Sequence, residues 1–95
     1  MIITKKKYNK MKEIKNNLPK WFDGTVYDAG DTVTNPFSGE DFKLNAEELS
    51  MYDLIMGINY VGDHRGWDDE LIETQQKALA WFSEKNIKAY MALLD

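Results

Sequence analysis

Four side chains in the second half of the sequence belong to types that could carry chemistry: His64 and the acidic run Asp68, Asp69 and Glu70. Because His64 is the only histidine and cysteine is absent, a catalytic triad or a zinc site would lack its usual partners. The acidic oxygens could bind a hard cation, but their spacing does not match a calcium-binding EF-hand loop. We therefore favour a non-enzymatic chain with no catalytic residue, metal or cofactor. A small metal-dependent enzyme built on these four residues is one alternative.

Large aromatic side chains offer a second kind of site, because they can stack on sugars or bases or anchor a protein partner. The sequence contains three Trp, five Tyr and four Phe, which supply large packing area for a single core. Such residues usually pack in the core or at a protein interface, and we favour this role here. The aromatic residues that we single out as candidates for exposure are Trp21, Tyr27, Phe37 and Trp67.

Charge is divided unevenly along the chain. Residues 1–20 form a basic leader with seven Lys and one Glu, whereas residues 21–95 carry five basic and fifteen acidic residues. Such a leader can neutralise nucleic-acid phosphates without reading sequence, so a nucleic-acid-associated factor is a further alternative. The acidic remainder repels nucleic acid, and we favour a solvated leader that is partly disordered or forms a short amphipathic helix. The lysines of this hypothetical arm are Lys5, Lys6, Lys7, Lys10 and Lys12.

Residues 21–95 are predicted to form a single α+β domain. Between residues 21 and 44, Thr, Val, Tyr and Phe are interleaved with Gly, Asp, Asn and Pro, a pattern typical of short strands and turns. This pattern predicts a small antiparallel meander of two or three strands, which must pack on helices to be stable. The predicted strands span residues 25–27, 32–34 and 41–44.

Three α-helices are predicted to follow the strands and to dominate the C-terminal half. Asn45 and Glu48 have the types and spacing of a capping box, flanked by Leu44 and Leu49 as a hydrophobic staple. Asn86 is expected to stop the second helix, because asparagine tolerates left-handed backbone geometry. The helices are predicted near residues 46–61, 69–85 and 87–94, with a loop over residues 62–66.

The first predicted helix is apolar on nearly all sides, which indicates burial of most of its surface. A chain of 95 residues offers little other material to cover it, so we expect part of this helix to contact a second copy. Gly57 would let another backbone come close. The predicted function is a small protein-interaction protein that forms homo-oligomers, with the candidate interface residues Met51, Leu54, Ile55 and Ile58.

Short motifs spread over residues 11–95 carry a family resemblance. The motifs include Leu18-Pro19-Lys20-Trp21-Phe22, Gly30-Asp31-Thr32-Val33-Thr34-Asn35, Glu48-Leu49-Ser50-Met51-Tyr52-Asp53 and Ala80-Trp81-Phe82. Together they resemble a family of small proteins of marine tailed phages, of the cyanophage type, to which no activity is assigned. The resemblance implies only a phage or viral setting inside a bacterial host, and it carries over no functional residue. In that setting our leading hypothesis is a phage accessory protein with an unidentified phage or host protein as partner.

The sequence shows no sign of membrane insertion. Its most apolar later stretch, residues 54–61, is far shorter than the about 20 residues that span a bilayer as a helix. No apolar run follows the first charged residues, as a secretory signal would require. We therefore expect a cytoplasmic protein, in the bacterial host if the chain is of phage origin.

Overall fold

In the computed structural model, residues 17–94 can be described, and within that range a two-stranded antiparallel sheet precedes three helices. This arrangement confirms the predicted α+β fold class with a dominant helical half. The elements are β1 (Asp31–Thr34), β2 (Asp41–Leu44), α1 (Ala46–Arg65), α2 (Asp69–Lys85) and α3 (Ile87–Leu93).

The two strands form a hairpin that is fastened to the last helix. Asp31 pairs with Leu44 at one end of the ladder, and Leu44 is buried in the core. At the turn, the Asn35 backbone N–H donates to the Glu40 carbonyl at 2.8 Å, and Gly39 has a φ of 77°. The Asn35 side-chain amide also donates to a carbonyl of α3 at 2.9 Å. The hairpin therefore obtains the helix support that so small a sheet needs.

The predicted strand at residues 25–27 is wrong. The Tyr27 backbone N–H donates to the Ser50 hydroxyl of α1 at 2.9 Å instead of pairing with a strand. The Ser50 side chain is fully buried, and its hydroxyl donates in turn to a carbonyl one turn earlier in α1. A little further on, Gly30 passes so close to the Leu44 carbonyl that a Cβ there would clash with it. Tertiary contacts thus hold this segment as irregular chain across α1.

Helix α1 begins at the predicted capping box. The Asn45 side chain accepts from the Glu48 backbone N–H at 2.8 Å, and the Glu48 carboxylate accepts from the Asn45 backbone N–H at 3.0 Å. Both bonds satisfy donors that a helix start otherwise leaves without partners. An N-cap of this kind stabilises a protein by about 1 kcal/mol.

The predicted end of α1 near residue 61 is wrong, because the helix continues through the expected loop to Arg65. Gly62 does not break the helix, because it is buried beneath the Trp67 ring, where no larger residue fits. The helix ends at Gly66, whose φ of 101° suits glycine, and whose N–H donates to the Gly62 carbonyl. Although α1 has 20 residues, no helix within residues 17–94 is both long and apolar enough to cross a membrane.

Helices α2 and α3 confirm the predicted bounds to within one residue, and α2 stops at Asn86 as predicted. The left-handed geometry expected of Asn86 is wrong. Its φ is −155°, outside the left-handed region. Its side-chain oxygen accepts from the Ala89 backbone N–H at 3.1 Å, so Asn86 caps the start of α3. Its amide donates to Glu48 at 3.1 Å, which ties the α2–α3 junction to the start of α1. Asp68 caps α2 by accepting from the Leu71 N–H.

The core lies between the hairpin and the three helices. Helix α1 packs on α2, α2 packs on α3, and both α1 and α3 contact β2. Phe82 is fully buried, and truncation of such a side chain to alanine costs about 3–5 kcal/mol. The buried members of the core are Leu44, Met51, Tyr52, Ile55, Ala78, Phe82, Ala89 and Leu93.

Two glycines of α1 provide a matched test of this packing. Gly57→Ala gains about 1 kcal/mol of helix propensity, because a Cβ at Gly57 meets nothing within 4 Å. Gly62→Ala has the same propensity gain but drives a methyl group into the Trp67 ring, and such overpacking costs about 1–3 kcal/mol. Urea unfolding in dilute solution should rank Gly57→Ala above Gly62→Ala by about 2 kcal/mol. Equal stabilities would contradict the described packing of Trp67.

Burial of the Tyr52 side chain predicts that the free energy of unfolding depends on pH. Burial raises the pKa of the Tyr52 phenol above its usual range. The unfolded chain therefore loses this proton at a lower pH than the folded protein, so the free energy of unfolding falls as the pH rises above about 10. In Tyr52→Phe this part of the fall should be absent. Denaturant unfolding between about pH 8 and pH 11 checks it, with Tyr60→Phe as the exposed control. An unchanged slope in Tyr52→Phe would contradict the prediction.

Candidate functional site

Helix α1 has one side in the core and an opposite side that faces outward. Met51 and Ile55 are fully buried, and Ile58 is buried with 6% of its surface exposed. On the outer side, Met56 and Tyr60 keep 37% and 65% of their surface exposed. The excess of apolar residues predicted for this helix thus leaves Met56 and Tyr60 exposed on an outer strip that also carries polar residues. We call the outer strip the α1 ridge and define it by Asp53, Met56, Gly57, Tyr60 and His64.

Aromatic contact stiffens the ridge at its C-terminal end. The rings of Tyr60 and His64 stack with centroids 4.1 Å apart and planes 29° apart. The His64 Nδ1 lies 2.9 Å from the Tyr60 backbone carbonyl oxygen. A carbonyl can only accept, so Nδ1 is the protonated nitrogen in this bond, and Nε2 is left for other contacts. His64 therefore positions the Tyr60 ring.

A groove runs beside the ridge, between α1 and the start of α2. Two adjoining cavities of about 440 and 340 Å³ form it and share a floor of apolar side chains. Acidic residues from three segments surround that floor, and Arg65 also lines the larger cavity. The floor consists of Leu54, Ile58, Val61 and Leu71, and the acidic residues are Asp23, Asp53, Asp68 and Glu70.

The predicted interface residues divide between the core and the groove. Met51 and Ile55 have no exposed surface, so in this fold their side chains cannot touch another chain. Leu54 and Ile58 line the groove. The ridge residues Met56 and Tyr60 are accessible, and the apolar pattern of α1 did not distinguish them from their buried neighbours. Counting helical steps from the buried side of α1 would have identified Met56 and Tyr60 as exposed, but the structure is needed to show which side is buried.

The residues suggested for metal chemistry do not meet in one place. Asp68 is engaged as the cap of α2, and Asp69 and Glu70 lie in the first turn of that helix. His64 is turned toward Tyr60 by the stacking contact. Within residues 17–94, no group of three or more His, Asp or Glu side chains is arranged to hold a metal ion. The arrangement favours helix capping and ring packing over metal chemistry.

The four aromatic residues singled out from the sequence have different environments. Trp21 packs against the core, and the Lys77 ammonium lies 6.0 Å from its ring centre. Tyr27 is half-buried, and Trp67 covers Gly62. Phe37, at the tip of the hairpin, is 96% exposed. These residues therefore do not form a common stacking surface.

The hypothetical nucleic-acid arm, with Lys5, Lys6, Lys7, Lys10 and Lys12, lies outside the described residues. The same holds for the amphipathic helix predicted within the leader, except for its last residues. The described chain begins at Asn17, whose backbone N–H donates to the Glu47 carboxylate at 2.8 Å.

Comparison of the chain with protein-family models, with curated proteins and with solved structures found no match. The resemblance to proteins of marine tailed phages therefore stays an expectation from the sequence.

Adding divalent ions tests whether the acidic residues Asp68, Asp69 and Glu70 bind a metal ion or only form the start of α2. A site that binds a metal only in the folded state raises the melting temperature, and the rise grows with the logarithm of the metal concentration above the dissociation constant. Because Asp68 is used as a helix cap, we expect calcium, magnesium and zinc to leave the melting temperature unchanged. Scanning calorimetry with and without chelator makes the measurement. A rise that disappears in Asp69→Asn or Glu70→Gln would establish a metal site at this helix start.

Proposed function

We propose that this chain is a non-enzymatic protein-interaction protein that associates with a second copy of itself through the α1 ridge. The observation that carries the proposal is the exposure of Met56 and Tyr60 on a helix whose opposite side forms the core. Exposed apolar side chains on the outer side of a helix are surface that a contact with another protein can cover. Tyrosine and methionine are also enriched at the centres of protein interfaces.

Four polar side chains of the described chain have structural roles, which is what a non-enzymatic protein requires of them. Asn45, Asp68 and Asn86 each cap a helix, and Ser50 holds the chain segment that crosses α1. A catalytic group needs a free polar atom directed at a substrate, whereas these atoms are engaged in bonds that define the fold.

The setting of this proposal comes from the sequence resemblance. We place the protein among the accessory proteins of tailed phages, acting in the cytoplasm of a bacterial host. A homo-oligomer of this kind presents two copies of each surface outside the interface to a phage or host partner.

Two matched substitutions test the self-association. Tyr60→Glu places a charge on the ridge that loses its hydration when two copies meet, so it should weaken association by at least about tenfold. Met91→Glu is the control, because Met91 on α3 is 62% exposed, close to the 65% of Tyr60. Light scattering across a concentration series measures the mass of each variant.

The expected result is an oligomer for the unaltered chain and for Met91→Glu, and a monomer for Tyr60→Glu at the same concentration. A strict monomer of the unaltered chain at high concentration would refute self-association. Equal weakening by both substitutions would move the interface away from the α1 ridge.

A further inference from the structure

Four residues of the ridge have the spacing of a helix-packing seam. Asp53, Gly57, Tyr60 and His64 follow one another at steps of four, three and four residues, and all four are exposed. This alternation places side chains in one line along a helix and is the spacing by which two helices pack lengthwise. The line lies opposite the buried stripe of α1, so a partner helix could lie along it without disturbing the core.

The order of residue types along this line is complementary to itself when reversed. From either end, the line begins with a polar residue, continues through two central residues and ends with a polar residue. The two inner residues are the smallest side chain, Gly57, and a large one, Tyr60. The two outer residues are an acid, Asp53, and an imidazole, His64. A twofold axis between Gly57 and Tyr60 would therefore bring each residue opposite its complement, as a symmetric interface requires.

We propose that two copies of this chain pair through antiparallel α1 helices, with Tyr60 of each copy packed over Gly57 of the other and Asp53 beside His64. The pairing rests on the proposed function, since it specifies the geometry of the self-association. The occupant of the ridge is thus a second copy of the same ridge.

In the single chain, the helix surface at Gly57 already has room for the Tyr60 ring of another copy. A Cβ at Gly57 meets nothing within 4 Å, so the helix surface there is an open depression between larger side chains. The Tyr60 ring is held by its stack on His64, which reduces the rotamer freedom lost on binding. A glycine opposite an ordered aromatic ring leaves room for the ring on the helix surface, and the ring excludes water from that contact.

The antiparallel arrangement avoids setting like charges opposite each other at the outer positions. Because His64 Nδ1 bonds to a backbone carbonyl, Nε2 is the atom available to a partner. In the protonated imidazole, Nε2–H can donate to the Asp53 carboxylate of the other copy. A parallel pair in register would instead set Asp53 against Asp53 and Tyr60 against Tyr60, and would leave the two glycines facing each other across a gap. Like charges directly opposite each other oppose such a pairing.

Disulfide trapping tests the pairing. Because the sequence has no native cysteine, only the introduced cysteines can form a cross-link. Full-length Asp53→Cys and His64→Cys chains are mixed in a glutathione redox buffer, and products are identified by mass spectrometry. Antiparallel pairing brings Cys at 53 of one chain against Cys at 64 of the other. Residues 53 and 64 are eleven positions apart, about 16 Å along a helix, whereas a disulfide needs Cα atoms within about 7 Å.

The expected result is a cross-link between the two different variants that exceeds the link of either variant to itself by at least about tenfold. A matched control uses Glu73→Cys with Glu84→Cys, because these exposed residues of α2 have the same spacing of eleven. This control pair should cross-link no more than either member does with itself. Light scattering on each variant verifies that it still associates.

The failures of the two proposals give different results. Monomers of the unaltered chain at every concentration would refute self-association and the pairing together. Dimers in which Asp53→Cys links to itself would refute the antiparallel order and establish a parallel pair. Dimers in which no ridge cysteine cross-links above the α2 control would refute the ridge as the interface while leaving self-association intact.

Discussion

The fold depends on the carboxylate of Glu48, which joins three helices at one point. One of its oxygens accepts from the Asn45 backbone and completes the start of α1, while the other accepts from the Asn86 side chain. Asn86 in turn caps α3 and ends α2. Bonds to a charged acceptor are stronger than bonds between neutral groups, contributing about 1.5–3 kcal/mol each. A single carboxylate thus sets the start of α1 relative to the α2–α3 junction.

With that junction fixed, the orientation of α1 about its own axis decides which of its apolar residues are buried. Ile55 and Met51 are directed into the core formed with α2 and β2, and Met56 and Tyr60 are directed away from it. The sequence of α1 is apolar on nearly all sides, so apolar side chains such as Met56 and Tyr60 stay outside the core beside the polar Asp53 and His64.

Polar residues that resemble parts of an active site are used here to shape backbone. Asp68 begins α2, and His64 holds the Tyr60 ring while bonding to its carbonyl. Ser50 fastens a crossing segment to α1. In a small domain these bonds contribute a large share of the specificity of the fold, because a chain of this size buries only about 60–65% of its unfolded surface.

The sequence by itself determined the features that depend on neighbouring residues. The capping box at Asn45, the hairpin and the bounds of α2 were predictable because each arises from bonds or periodicity within a few positions. The tertiary structure decided what distant residues do to each other. Burial of Gly62 under Trp67 extended α1, and the bond from Tyr27 to Ser50 removed a predicted strand. The division of α1 into a core side and a ridge was also decided there, because periodicity finds an apolar helix but cannot say which side the rest of the chain will cover.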